Sequence, residues 1–141
     1  MATKDKCLKS FPEWVKTRVN LALEYKFNDV SKWYLEEFVD HNNYEKCVFK
    51  AWYLTANSLI SLCLSLDQIH VIEYFKKAIM KIETAMEVIE DEQINKEIAC
   101  IYSFKIKFLN GDIITLNKPE LNRADYKNLY IDFMETLRQS L

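Results

Sequence analysis

The 141-residue sequence predicts an all-α fold of about six helices, paired as antiparallel hairpins and stacked into an α-solenoid or bundle. Three observations lead there. Gly111 is the only glycine, and Pro12 and Pro119 are the only prolines; chains built from many short strands need many tight turns, which Gly and Pro commonly make. Half of the residues are hydrophobic, with eight Tyr, eight Phe and three Trp as bulky anchors, and a chain of this length can bury a substantial core. Apolar residues also recur at three- and four-residue steps, the period of one helix face.

Residues 1–9 carry Lys4, Lys6 and Lys9 without periodicity and read as a flexible N-terminal tail. Residues 10–141 read as a single helical domain. Ser10 can cap a first helix, with Glu13 at the reciprocal capping-box position and Pro12 tolerated in the first turn. Val15, Val19, Ala22 and Leu23 form its stripe, and it runs to about Lys26. Asn28-Asp29 breaks the pattern and caps a second helix with Val30, Trp33, Tyr34, Phe38 and Val39 on one side, ended by His41-Asn42-Asn43. A break this short makes antiparallel neighbours. The third helix, about Tyr44–Leu66, is apolar nearly all round and so belongs at the centre of the domain.

Asp67 caps a fourth helix whose stripe is Ile72, Phe75, Ile79, Ile82, Met86 and Ile89. If that stripe packs inward, Phe75→Ala costs about 3–5 kcal/mol. A fifth helix follows at about Ile94–Leu109, then an irregular segment to Asn122. A sixth turns Tyr126, Leu129, Tyr130, Phe133 and Leu137 inward. Ile98–Leu116 supports two readings. Phe104, Ile106 and Phe108 alternate with Lys105 and Lys107 and then meet Asn110-Gly111, a β-hairpin signal. Ile94, Ile98, Ile101 and Tyr102 run at helical spacing instead, with Asn110-Gly111 as a left-handed helix stop. The pattern of this segment leaves both open; the scarcity of turn residues elsewhere favours the helix. Val71, Phe75 and Ala78 have the spacing of a tetratricopeptide second helix, which makes the stack TPR-like, although no strict 34-residue period repeats.

The chemistry-bearing residues are sparse. His41 and His70 have Cys47 and Cys63 as nearest nucleophile candidates, and no motif fixes a triad. There is no Cys-x-x-Cys or His-x-x-x-His, and one glycine cannot make a phosphate-binding loop. The reading is therefore non-enzymatic, with no cofactor and no metal. Cys7, Cys47, Cys63 and Cys100 are dispersed, three of them in apolar patterns, which argues against a disulfide framework and for a reducing cytoplasmic location. No apolar run is long enough to span a bilayer as a helix, and the first residues lack the hydrophobic core of a secretory signal. The formal net charge of −2 gives no global attraction to nucleic acid or anionic lipid. Lys76, Lys77, Lys81, Lys105 and Lys107 read as solvated faces. The acidic stretch Glu87, Glu90, Asp91, Glu92 and Glu97 is the candidate docking surface for a basic protein partner.

Phe104-Lys-Ile-Lys-Phe-Leu-Asn-Gly-Asp-Ile-Ile-Thr115, followed by Pro119-Glu-Leu121, resembles the C-terminal part of the kinesin-binding protein family. Glu73-Tyr-Phe-Lys-Lys-Ala-Ile79, Leu35-Glu-Glu-Phe-Val-Asp-His41 and Val48-Phe-Lys-Ala-Trp52 are similar to upstream segments in the same order. The resemblance implies a TPR-like solenoid that binds a kinesin motor domain and regulates transport along microtubules, with no catalytic residues to transfer. The family uses both halves of its chain on the motor, and the N-terminal half has no counterpart here. The alternative is a scaffold subunit of an obligate complex, or a homodimer, unrelated to motors.

Overall fold

The computed structural model describes residues 11–26, 30–38, 49–119 and 124–141, and its architecture is mostly β. Helix α1 (Glu13–Lys26) precedes strands β1 (Lys32–Phe38), β2 (Phe49–Leu54), β3 (Ser58–Leu64) and β4 (Ile69–Phe75). A 3-10 turn at Lys76–Ala78 leads to β5 (Ile79–Asp91), β6 (Lys96–Phe108), β7 (Ile113–Asn117) and the last helix, α2 (Ala124–Gln139). The strands form two antiparallel meanders, β1-β2-β3-β4 and β5-β6-β7. The chain divides into two compact units: residues up to Lys76 together with Pro119–Leu141, and Lys77–Lys118.

The all-α solenoid is thereby overturned, and with it the TPR-like pairing. The expected first and last helices are present as α1 and α2. The second is β1, and the third, apart from residues 44–48, is the β2–β3 hairpin. The fourth is β4, the 3-10 turn and β5; the fifth is β6; the irregular segment contains β7. The expected tail at residues 1–9, His41 and Cys47 lie outside the described residues.

Two physical causes account for the inversion. The first is burial on both faces. In β2 and β3, eleven of the thirteen strand residues are buried whichever way they point: Phe49, Ala51 and Tyr53 on one side, Trp52 and Leu54 on the other. Such strands read as continuous apolar runs, as a fully buried helix does. The second is turn chemistry. The Thr55 hydroxyl accepts from the Ser58 amide at 3.0 Å, and the Ser65 hydroxyl accepts from the Gln68 amide at 3.1 Å while donating to Asp67 at 2.9 Å. Asp91 Oδ1 accepts from the Gln93 amide at 3.0 Å, with Asn95 in the left-handed region at φ 51°. Side chains of Thr, Ser, Asp and Asn thus close turns that need no glycine or proline. Only β6–β7 uses the glycine: Gly111 sits at φ 96°, and the Asn110 Oδ1 accepts from the Asp112 amide at 2.9 Å.

The first unit is a sheet with a helix on each face. The α1 stripe of Val15, Val19, Ala22 and Leu23 packs on Trp33, Leu35, Phe49, Ala51, Tyr53, Ile60, Leu62 and Leu64. Phe11 extends it, edge-on to Phe38 at 4.7 Å and to Phe49 at 5.7 Å, and Trp33 stacks on Tyr53 at 5.8 Å. Each of these large side chains contributes about 1.5–3 kcal/mol of burial. On the opposite face, α2 buries Tyr130, Phe133, Met134 and Leu137, at helical i, i+3, i+4, i+7 spacing. Tyr34 meets Tyr130 at 5.1 Å and Phe133 at 5.0 Å, both edge-on. Lys32 and Asp132 join β1 to α2 at 2.7 Å. In the second unit Phe104, Ile106, Phe108 and Leu116 are buried, while Lys105 and Lys107 alternate outward. The expected inward stripe of the fourth helix is not a core: Phe75 is 51 % exposed and Met86 52 %.

Candidate functional site

The β5 and β6 strands are 13 residues each, far longer than β7. β7 pairs with β6 only from Ser103 to Lys107. Beyond that, Met86 to Asp91 pair solely with Ile101 to Lys96, as a two-stranded ribbon roughly 20 Å long at the usual rise per residue. A register shift between Ala85 and Met86 marks where the ribbon departs from the three-stranded part, the position at which a bulge raises local twist.

The five predicted docking carboxylates all fall on this ribbon. Glu87 and Glu90 lie on β5, Asp91 ends it, Glu92 stands in the turn and Glu97 is near the start of β6. Pairing sets Glu90 directly opposite Glu97, an arrangement that costs a sheet stability. Lys96 is the only basic residue between positions 86 and 101. Lys118 reaches back to Glu87 at 3.7 Å.

The sequence reading missed the apolar half of this surface. Met86, Val88, Ile89 and Ile94 are between 41 and 66 % exposed on the same ribbon. The helical reading puts Met86, Ile89 and Ile94 on apolar stripes and leaves Val88 unassigned. The alternation of Met86, Glu87 and Val88 is the short period-2 signal that could have placed this segment on a strand. Large apolar side chains on β5 and its turn, set among carboxylates on a two-stranded ribbon, form a surface suited to another protein.

Other polar groups are arranged differently. A register shift between Leu35 and Glu37 lets Glu36 and Glu37 oppose Lys50, and the buried Glu36 carboxylate pairs with Lys50 at 3.2 Å. Lys50 also lies over the Trp52 ring at 5.5 Å. Burial pushes the Tyr34 hydroxyl well above its ordinary pKa, and the Glu36 charge adds to this; Tyr130 is raised by the same two causes. His70 stands directly opposite Cys63 across β3–β4, but Cys63 is disulfide-bonded and is no thiolate. That bond corrects the expectation of unpaired cysteines. Among the described residues no three of His, Cys, Asp and Glu gather in a form that could hold a metal, and no helix is long and apolar enough to cross a membrane. Of the expected aromatic anchors, Trp33, Trp52 and Tyr34 are buried and Trp14 is half-buried.

Comparisons with protein-family models, with curated proteins and with solved structures find no match.

Proposed function

We propose that the protein is a non-enzymatic interaction module that presents the β5–β6 ribbon to a protein partner with a basic rim. The observation that supports this is the composition of the ribbon: five carboxylates against one lysine, interleaved with four exposed large apolar side chains. The apolar residues supply contact area that gains from leaving water. The carboxylates steer a positively charged surface toward them and repel a second copy of the same ribbon. That repulsion favours a heterologous partner over a homodimer through this surface. A kinesin motor domain as the partner rests on the residue resemblance alone, because the TPR-like solenoid which that resemblance implies has no counterpart among the described residues.

Affinity purification of the tagged chain from its own cells, read by mass spectrometry, tests the reading against a Glu90→Lys/Asp91→Lys/Glu92→Lys variant. A protein captured by the native chain, released by salt and absent with the variant, is the expected result; a kinesin heavy chain in that eluate would give the resemblance its substance. Identical eluates from both chains would sink the ribbon as the binding surface. Location is tested in the same preparation. A cytoplasmic chain should have a reduced Cys63 that alkylates without prior reductant, whereas a persistent disulfide indicates an oxidising compartment.

A further inference from the structure

The outward face of the three-stranded sheet gathers lysines that are distant in sequence. Pairing puts Lys81 directly opposite Lys107 and Glu83 opposite Lys105, while Lys107 faces Ile113 across β6–β7. Lys81, Glu83, Lys105, Lys107 and Ile113 line one cavity of ≈ 180 Å³. All five are exposed.

The charge arrangement is unbalanced. Glu83 pairs with Lys81 at 2.9 Å, and its carboxyl lies below the ordinary carboxylate range because of Lys81 first and Lys105 second. Neither Lys105 nor Lys107 has a carboxylate within ion-pair distance among the described residues. Lys81 and Lys107 are like charges in directly opposed positions, which disfavours the sheet. Three ammonium groups and one carboxylate leave two positive charges over a cavity. That matches the charge of a phosphate monoester, about −1.5 to −2 near neutral pH. Lysine serves phosphate as a point charge with three donors. The cavity is smaller than the roughly 300–1,000 Å³ of sites for drug-sized ligands, so it fits one such group and not a whole nucleotide. We propose that this cavity binds a phosphate monoester, held by Lys81, Lys105 and Lys107.

Two sources carry the same chemistry, a soluble ester and a lipid headgroup, and the experiment separates them. The full chain is titrated with glycerol 3-phosphate at constant ionic strength while amide resonances are followed. In parallel it is floated with phosphatidylcholine vesicles with and without phosphatidic acid. Saturable shifts at residues 81, 105, 107 and 113 are expected for the soluble source, and phosphatidic acid-dependent flotation for the lipid. Either must weaken by at least roughly tenfold in Lys105→Gln/Lys107→Gln. Glu83→Gln should tighten binding roughly fivefold, the worth of one unit charge about 4 Å away in water; a gain of affinity cannot come from misfolding. Shifts that do not saturate, together with no flotation, would overturn the proposal and leave a solvated lysine face. Binding that survives in the double variant, or that ignores Glu83→Gln, would overturn it equally.

Discussion

Glu36 is the residue whose environment departs furthest from what its type prefers. Its carboxylate is buried, and Lys50 at 3.2 Å is the cation that compensates it. Removing the lysine takes an ion-pair partner from a charge in a poorly solvated place, which costs more than the pair itself contributes. Lys50→Met should therefore destabilise the chain by about 1–3 kcal/mol. Adding Glu36→Gln to that variant should recover part of the loss, because the buried charge is gone. Urea midpoints of the two single variants and the double variant check this, and full additivity would refute the coupling. None of this was legible in the sequence. Glu36 and Glu37 are adjacent carboxylates that nothing in the sequence tells apart, and only the register shift at Leu35 distinguishes the one that pairs with Lys50.

Among the elements, the hairpins carry the information the sequence hid. Gly111 at φ 96° has open space where a Cβ would stand, so Gly111→Ala meets only the backbone penalty of the left-handed region. A loss of about 1–2 kcal/mol in thermal or urea unfolding is expected; no loss would mean the turn relaxes to another type. This turn was the one legible hairpin. Phe104, Ile106 and Phe108 alternated with Lys105 and Lys107 up to Asn110-Gly111, and the helical alternative displaced it only because glycine and proline were missing elsewhere. Thr55, Ser65 and Asp91 close their turns with side-chain oxygens, and such residues are too common to punctuate a sequence by themselves. The acidic stretch was legible because it is continuous in sequence. The Lys81–Lys105–Lys107 grouping was not, since cross-strand pairing creates it. The two helices were readable for the opposite reason: each has one polar side, so its period survives burial of the other.

For the molecule as a whole, buried phenols tie stability to alkaline pH. Burial raises Tyr34, Tyr53 and Tyr130 above the ordinary tyrosine value of 10.0, with Glu36 adding to the first and last. The unfolded chain releases these protons near pH 10, whereas the folded chain keeps them. Stability is fully retained below that pH and falls as the pH rises past it toward the folded values. The phenolate absorbance of these three residues should appear together with loss of circular dichroism, and not before it. A smooth titration near pH 10 with structure intact would show the rings accessible to water.

The first unit is discontinuous: α2 returns to β1 after the whole of Lys77–Lys118 has intervened. That has a consequence in time. Roughly 100 residues separate Tyr34 from the Tyr130 and Phe133 that cover it, and translation at about 5–20 residues per second makes that interval about 5–20 s. The β1–β4 meander can pair locally long before then, so one apolar face of a nascent sheet waits uncovered on the ribosome. During synthesis this face, and not the finished ribbon, is the surface that a chaperone would have to shield.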